Sequence, residues 1–221
     1  MKKSKTMAFT EPHLQEIISY LEAMDWKNPQ IYGDFLAQTH YHICHSTRLL
    51  AAAGSLFDTS AAQDKLHLQC VKHAGEERSH EKLSTSDLAE IGFQLENFSE
   101  LQSTKALYRS AYYLIDRESP YTMFGYAFIL ECLGPRAVAI EQLLKAHYGP
   151  KAVKHLSLHA HEDPEHIEGY IAMLDALSEK EQAWVEEGIA STAFHYKRIF
   201  EEICARADAA HNNVLTLKKA A

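Results

Sequence analysis

An all-α fold is predicted by three features of the 221-residue chain. Apolar residues recur at helical spacing along most of its length, and no stretch alternates apolar and polar residues for as long as a strand. The 9 Gly and 6 Pro are too few for the many tight turns of an all-β protein. The expectation is one helical domain over 1–221, a bundle of about seven to eight helices, with 1–10 and 211–221 as loosely attached tails.

A first helix is expected over 11–24, stopped by WKNPQ at 26–30. A second, 31–57, carries Phe35, His42, Leu49 and Leu50 and gives way to the polar linker DTSAAQD. The third, 64–83, holds HAGEERSH at 73–80, and STSDLAEIG after it reads as a short helical turn capped by serine and stopped at Gly92. A fourth, 99–116, turns Leu101, Tyr108, Tyr112 and Leu114 towards a core. Pro120 opens a fifth, in whose first turn its missing N–H costs nothing, and Gly134-Pro135 ends it. Helices over 135–147 and 151–177 follow, separated by Tyr148-Gly149-Pro150, and the second carries HAHEDPEH at 159–166. The last, 178–210, begins with Ser178 and Glu181 spaced as a capping box.

Composition excludes several function classes. A formal net charge of −8 without a Lys/Arg cluster leaves no footprint for nucleic acid, because neutralising phosphates takes a clustered basic surface. Cys44, Cys70, Cys132 and Cys204 are scattered with no C-x-x-C, so neither a disulfide scaffold nor a zinc knuckle is indicated, and reduced thiols fit a cytoplasmic protein. The basic start MKKSKTMAFTEPHLQ lacks the apolar run of a signal peptide. The run YTMFGYAFIL is cut short by Glu131, well under the roughly 20 residues of a membrane span, so no membrane partner is expected.

The chemistry is concentrated in the two histidine-rich segments, both of the form His-Ala-x-Glu-acid-x-x-His. At 100° per residue, positions i, i+4 and i+7 of a helix fall within roughly 60° of arc. His73, Glu77 and His80 therefore share one helical face, and His159, Asp163 and His166 share another. Carboxylates bridge hard metal ions while neutral imidazoles complete their coordination, and helical bundles that bind two irons or manganeses use a Glu-x-x-His step. Glu77 to His80 and Asp163 to His166 both have that step. Glu131 adds a carboxylate inside MFGYAFILECLG, where an unpaired acid would cost several kcal/mol, so it needs a cation or a strong hydrogen-bonding partner. Against this stands a plainer reading: 14 His and 30 acidic residues bring some His/Glu coincidences by chance, and exposed pairs of this kind are weak surface contacts. Glu76 and Glu162 lie at the edges of the two faces, and His161 points away from His159. Pro164 removes the hydrogen bond to the Ala160 carbonyl, so a kink is expected there, or a new helix capped by Asp163. Aromatic residues such as Phe124 and Tyr126 pack the core, and the candidates for lining a substrate pocket are His42, Tyr112 and Phe128.

On these residues the chain resembles the haem-oxygenase-like di-iron oxidases and oxygenases, whose relatives include the thiaminase-like and pyrroloquinoline-quinone-synthesis proteins. The likeness runs from about Phe35 to Tyr170 and is most specific in H-x-x-x-D-x-x-H, here His159, Asp163 and His166. Glu131 matches the family's acid on the preceding core helix, and Glu77 and His80 match its acid and His on an earlier one. Some members carry Glu where this chain has His73. Two alternatives follow: Glu77 is the carboxylate with His73 beside the site, or His73 is itself a ligand.

The resemblance implies a non-haem di-iron enzyme that activates O2 and oxidises an amino acid, a fatty acid or a biosynthetic intermediate. One iron takes Glu77, His80 and Glu131 and the other His159, Asp163 and His166, with Glu131 or Asp163 bridging; manganese suits the same ligands. The implied partners are O2 and a small-molecule substrate, with a homodimer as the assembly to examine. Two competing readings are a metal-independent enzyme on the same fold, in one version with Cys132 as nucleophile, and a non-catalytic metal-binding helical protein.

Overall fold

Ten α-helices and three short 3-10 turns carry the chain in a computed structural model that describes the backbone of residues 4–220 and the side chains of 4–161 and 167–209. The helices are α1 (Lys5–Ala23), α2 (Pro29–Ile43), α3 (Ser46–Gly54), α4 (Ala61–Glu76), α5 (Glu81–Glu90), α6 (Gln102–Arg117), α7 (Thr122–Glu131), α8 (Val138–Tyr148), α9 (Lys154–Leu174) and α10 (Glu179–Ala220). No strand occurs among the described residues, and the all-α expectation holds.

Local chemistry sets several boundaries where the sequence places them. The Asn28 side chain accepts from the Gln30 N–H at 3.0 Å, and Pro29 follows it as the first residue of α2. Ahead of α10 the Ser178 N–H donates to Glu181 Oε2 at 2.8 Å, and the Glu181 N–H returns to Ser178 Oγ at 3.4 Å.

Other boundaries differ, and contacts in the folded chain accompany the differences. The expected helix over 31–57 is two helices, broken at Cys44-His45. There the His45 ring turns to stack on Tyr108 with centroids 3.8 Å apart, and the Arg48 guanidinium closes on the Cys44 carbonyl. The expected helix over 64–83 stops at Glu76, and the chain turns through Ser79, whose φ of 76° is the one positive value at a non-glycine among the described residues. STSDLAEIG then lies in α5, a full helix of 10 residues rather than a short turn. Residues 4–10 are no loose tail: Ser4 and Thr6 donate to the Asp175 carboxylate at the end of α9, with Thr6 and Thr10 buried. The α9 backbone continues past residue 164, so Pro164 neither ends that helix nor starts another.

α7 is the axis of the core. All its residues but one are buried, and apolar side chains from α1 through α10 pack into a single cluster around it. The stretch Thr122–Tyr148 has the length and hydropathy of a membrane span, yet it is mostly buried within the bundle, as a core helix is. Against α10 it packs backbone to backbone. A Cβ on Gly125 would collide with the Val185 carbonyl, and one on Gly188 with the Thr122 carbonyl. Glycine inside a helix costs about 1 kcal/mol relative to alanine, and here that cost permits the close approach of two helices.

Candidate metal centre and its cavity

Met123, Tyr126, Ala127, Leu130 and Glu131 form the i, i+3, i+4, i+7, i+8 stripe of α7, and all five line a cavity of about 110 Å³ that Tyr196 of α10 also borders. Glu131 ends that stripe and faces the last turn of α4. His73 Nε2 lies 2.9 Å from Glu131 Oε1 and 3.5 Å from Glu77 Oε1, and all three residues are buried. The other oxygen of Glu77 is 3.6 Å from His80 Nδ1. Because the helix has ended, His80 reaches Glu77 through the turn at Ser79 and not through the i+7 spacing of a continuous helix. The continuous helix expected over 64–83 is therefore replaced by a helix end and a turn between His73 and His80. From α9, the Tyr170 hydroxyl lies 2.6 Å from His73 Nδ1. The His159 ring lies 5.4 Å from that of His80, centroid to centroid.

Charge is arranged around His73. Burial works against an imidazolium, but the Glu131 and Glu77 carboxylates outweigh it and hold His73 at about 10. Protonated, it donates from Nε2 to Glu131 and from Nδ1 to the Tyr170 oxygen. Burial likewise pushes Glu77 up, and His73 and His80 overcome it, keeping the carboxyl well below the usual range. A donor atom from each of His73, Glu77 and Glu131 lies within 4.8 Å of the others. Two carboxylates and an imidazole at that spacing fit a hard divalent ion, and the pair already holds one positive charge between them.

The structure thus brings Glu77 and Glu131 onto His73, with His80 against Glu77 and the His159 ring beside that of His80. Asp163 and His166 lie outside the described side chains, as does Glu162. Glu76 pairs with Lys72 at 3.3 Å, and His161 is exposed, 4.0 Å from Glu141. Of the pocket candidates, His42 lines the cavity. Phe128 is off the α7 stripe and packs on Tyr170, with ring centroids 6.1 Å apart. Tyr112 lies outside the cavity, its hydroxyl hydrogen-bonded with His45 Nδ1 at 3.2 Å. Cys132 belongs to the core cluster and not to the cavity wall.

One residue escaped the sequence reading. His155 is buried against the cavity with its ring 4.6 Å from that of His159, and its backbone N–H donates to Asp87 Oδ2 at 2.8 Å. Burial, then the neighbouring His159, drive its pKa well below the ordinary imidazole value. Extending the His159 face one helical turn upstream finds it, since 155 and 159 are i and i+4.

Fold and site together define a helical protein of the haem-oxygenase-like class with a buried carboxylate-imidazole centre. The chain belongs to the family of iron-containing redox enzymes, whose pattern matches residues 33–212. It is similar to a domain of unknown function with a heme oxygenase-like fold from Shewanella denitrificans OS217, at 20% identity and a TM-score of 0.79, covering 94% of this chain and 92% of that one. It is also similar to a TenA homolog from Pseudomonas syringae pv. tomato strain DC3000, at 13% identity and a TM-score of 0.71, covering 91% of each chain. At such identities these likenesses concern the fold. None of the functionally curated proteins matches the chain.

Proposed function

We propose that this protein is a non-haem di-iron oxidase or oxygenase that uses O2 to oxidise a small organic molecule held in the cavity. The observation that carries the reading is the buried His73–Glu77–Glu131 cluster on the wall of that cavity. His73, Glu77, His80 and Glu131 would hold one ion, with His159, Asp163 and His166 holding the other. Iron, when bound, supplies the electrons that reduce O2.

The chain's own residues perform the rest. Glu77 turns one oxygen to His73 and the other to His80, an orientation suited to bridging neighbouring positions. Tyr170 fixes the His73 ring through Nδ1 and so aims Nε2 at the carboxylates. Leu21, Phe35, Leu50 and Leu130 give the cavity apolar walls that exclude water from the substrate.

The test is an anaerobic Fe(II) titration followed by exposure to O2, with metal content and visible absorption recorded. About two irons per chain and a transient chromophore are expected. If no iron binds, or if His80→Ala and His166→Ala leave the stoichiometry unchanged, the reading is wrong.

A second reading draws on the same cluster. With His73 protonated, the two carboxylates share one positive charge without an ion, which lowers the charge that a metal-independent enzyme on this fold would have to bury. Under it, activity survives removal of iron by a chelator. The version with Cys132 as nucleophile draws no support from a side chain that does not line the cavity.

A further inference from the structure

The cavity has a second set of polar atoms that the metal centre does not use. Both ring nitrogens of His42, the Tyr126 hydroxyl and His155 Nδ1 are buried on its wall with no hydrogen-bond partner among the described residues. Leaving such an atom unsatisfied costs about 1–3 kcal/mol, so several on one cavity wall call for a ligand that satisfies them. The His42 ring lies perpendicular to that of Tyr196, with ring centroids 5.7 Å apart, and neither His42 nitrogen has a hydrogen bond among the described residues.

The remaining wall limits what that ligand can be. Leu21, Trp26, Phe35, Leu133, Ala137 and Ile140 make one part of it wholly apolar. Among the described lining residues there is no Lys or Arg, and the acids there, Glu77 and Glu131, are turned to His73. A carboxylate or phosphate lying along this wall would be desolvated without a counter-charge, at a cost of several kcal/mol. Burial holds His42 at about 3, so its imidazole is neutral, with one N–H to donate and one lone pair to accept. A hydroxyl, which also donates and accepts, is the complementary group. For size, a cavity of about 150 Å³ admits benzene with its six non-hydrogen atoms, so about 110 Å³ corresponds to roughly four to six.

We infer that the cavity takes a small, uncharged, mostly apolar molecule whose single hydroxyl-type polar group is read by His42 and Tyr126. This names a substrate class and rests on the oxidase reading only for the statement that the bound molecule is what becomes oxidised. Binding itself does not depend on iron.

The test uses four probes of similar size, cyclopentanol, cyclopentane, cyclopropanecarboxylate and cyclopentylammonium, with the full chain both iron-loaded and chelator-stripped. Binding is read from the fluorescence of Trp26, which lines the cavity, in a Trp184→Phe background. Cyclopentanol should bind about tenfold or more tighter than each of the other three in the stripped protein. His42→Phe should bring cyclopentanol to the level of cyclopentane while cyclopentane still binds, which shows that the cavity is intact. Tyr126→Phe should reduce the same preference, and it serves if His42→Phe does not fold. Equal or tighter binding of a charged probe, a preference that survives both substitutions, or binding of no probe would each overturn the inference. Because the stripped protein is compared, loss of the di-iron reading leaves this result standing. Two bound irons with a cavity that prefers the carboxylate would refute the substrate class alone.

Discussion

The two faces of α7 show opposite ways of using a helix. Towards α10, Gly125 and Gly188 let backbone meet backbone with no room for one methyl group. Towards the cavity, the same helix presents Met123, Tyr126 and Glu131 to open space, and the Tyr126 hydroxyl has no partner among the described residues. The seam makes the cavity workable. A helix fixed by main-chain contact cannot roll, so Glu131 is held opposite His73 even though the space beside it is not filled with side chains.

The largest predicted effect tests this division directly. Gly125→Ala on the seam should destabilise the fold by about 3 kcal/mol or more in urea unfolding, because neither backbone can yield. Ala127→Gly on the cavity face should cost only about 1 kcal/mol, the loss in helix propensity. Equal costs would abolish the distinction between the faces.

Next, Glu131→Gln should keep the shape of the stripe and remove the charge, weakening ion binding at the cluster by about 100-fold or more in competition with a chelator. Unchanged affinity would place the ion elsewhere. A smaller effect concerns protons. An ion needs His73 neutral, and this group's pKa is about 10, so a proton must leave as the ion binds. Apparent affinity should therefore rise about tenfold per pH unit from 7 to 9, with calorimetry in buffers of different ionisation enthalpy reporting proton release.

Asp87, which receives the His155 N–H behind the cavity, gives a pH dependence of stability. Burial lifts it to about 6, above its unfolded value. The fold therefore favours the protonated acid, a contribution complete below about pH 4 and lost as pH rises through about 6. Asp87→Asn should be more stable than the parent by about 1 kcal/mol at pH 8, with no such advantage at pH 4, when thermal unfolding is followed at both. The smallest change, Ser79→Gly, relieves a positive φ and should add about 0.5–1 kcal/mol without altering ion binding. Altered binding would mean that the serine itself, and not only its turn, shapes the centre.

Residue types carried much of the site. Glu131 stood out because an acid in an apolar run needs a partner, and His73 is that partner at 2.9 Å. The periodic apolar pattern likewise carried the helical class and most of the helix order. What the sequence hid was decided by contacts between distant segments. In HAGEERSH the glycine, Gly75, lies within the last turn of α4, and the turn at Ser79 has no glycine or proline of its own to mark it. The break at Cys44-His45 depends on Tyr108, more than 60 residues away. Phe128 and Tyr126 are equally aromatic neighbours on one helix, and only the position of α9 decides that the first packs on Tyr170 while the second faces the cavity.

The void of about 110 Å³ beside a closely packed seam also has a mechanical consequence. Unfolding eliminates internal empty volume, so hydrostatic pressure should favour the unfolded chain by an amount that grows with this cavity, on the order of tens of mL/mol. A molecule that fills the space removes most of that compressible volume. The pressure at which the protein unfolds then becomes a gauge of occupancy, one that needs neither colour nor turnover to be read.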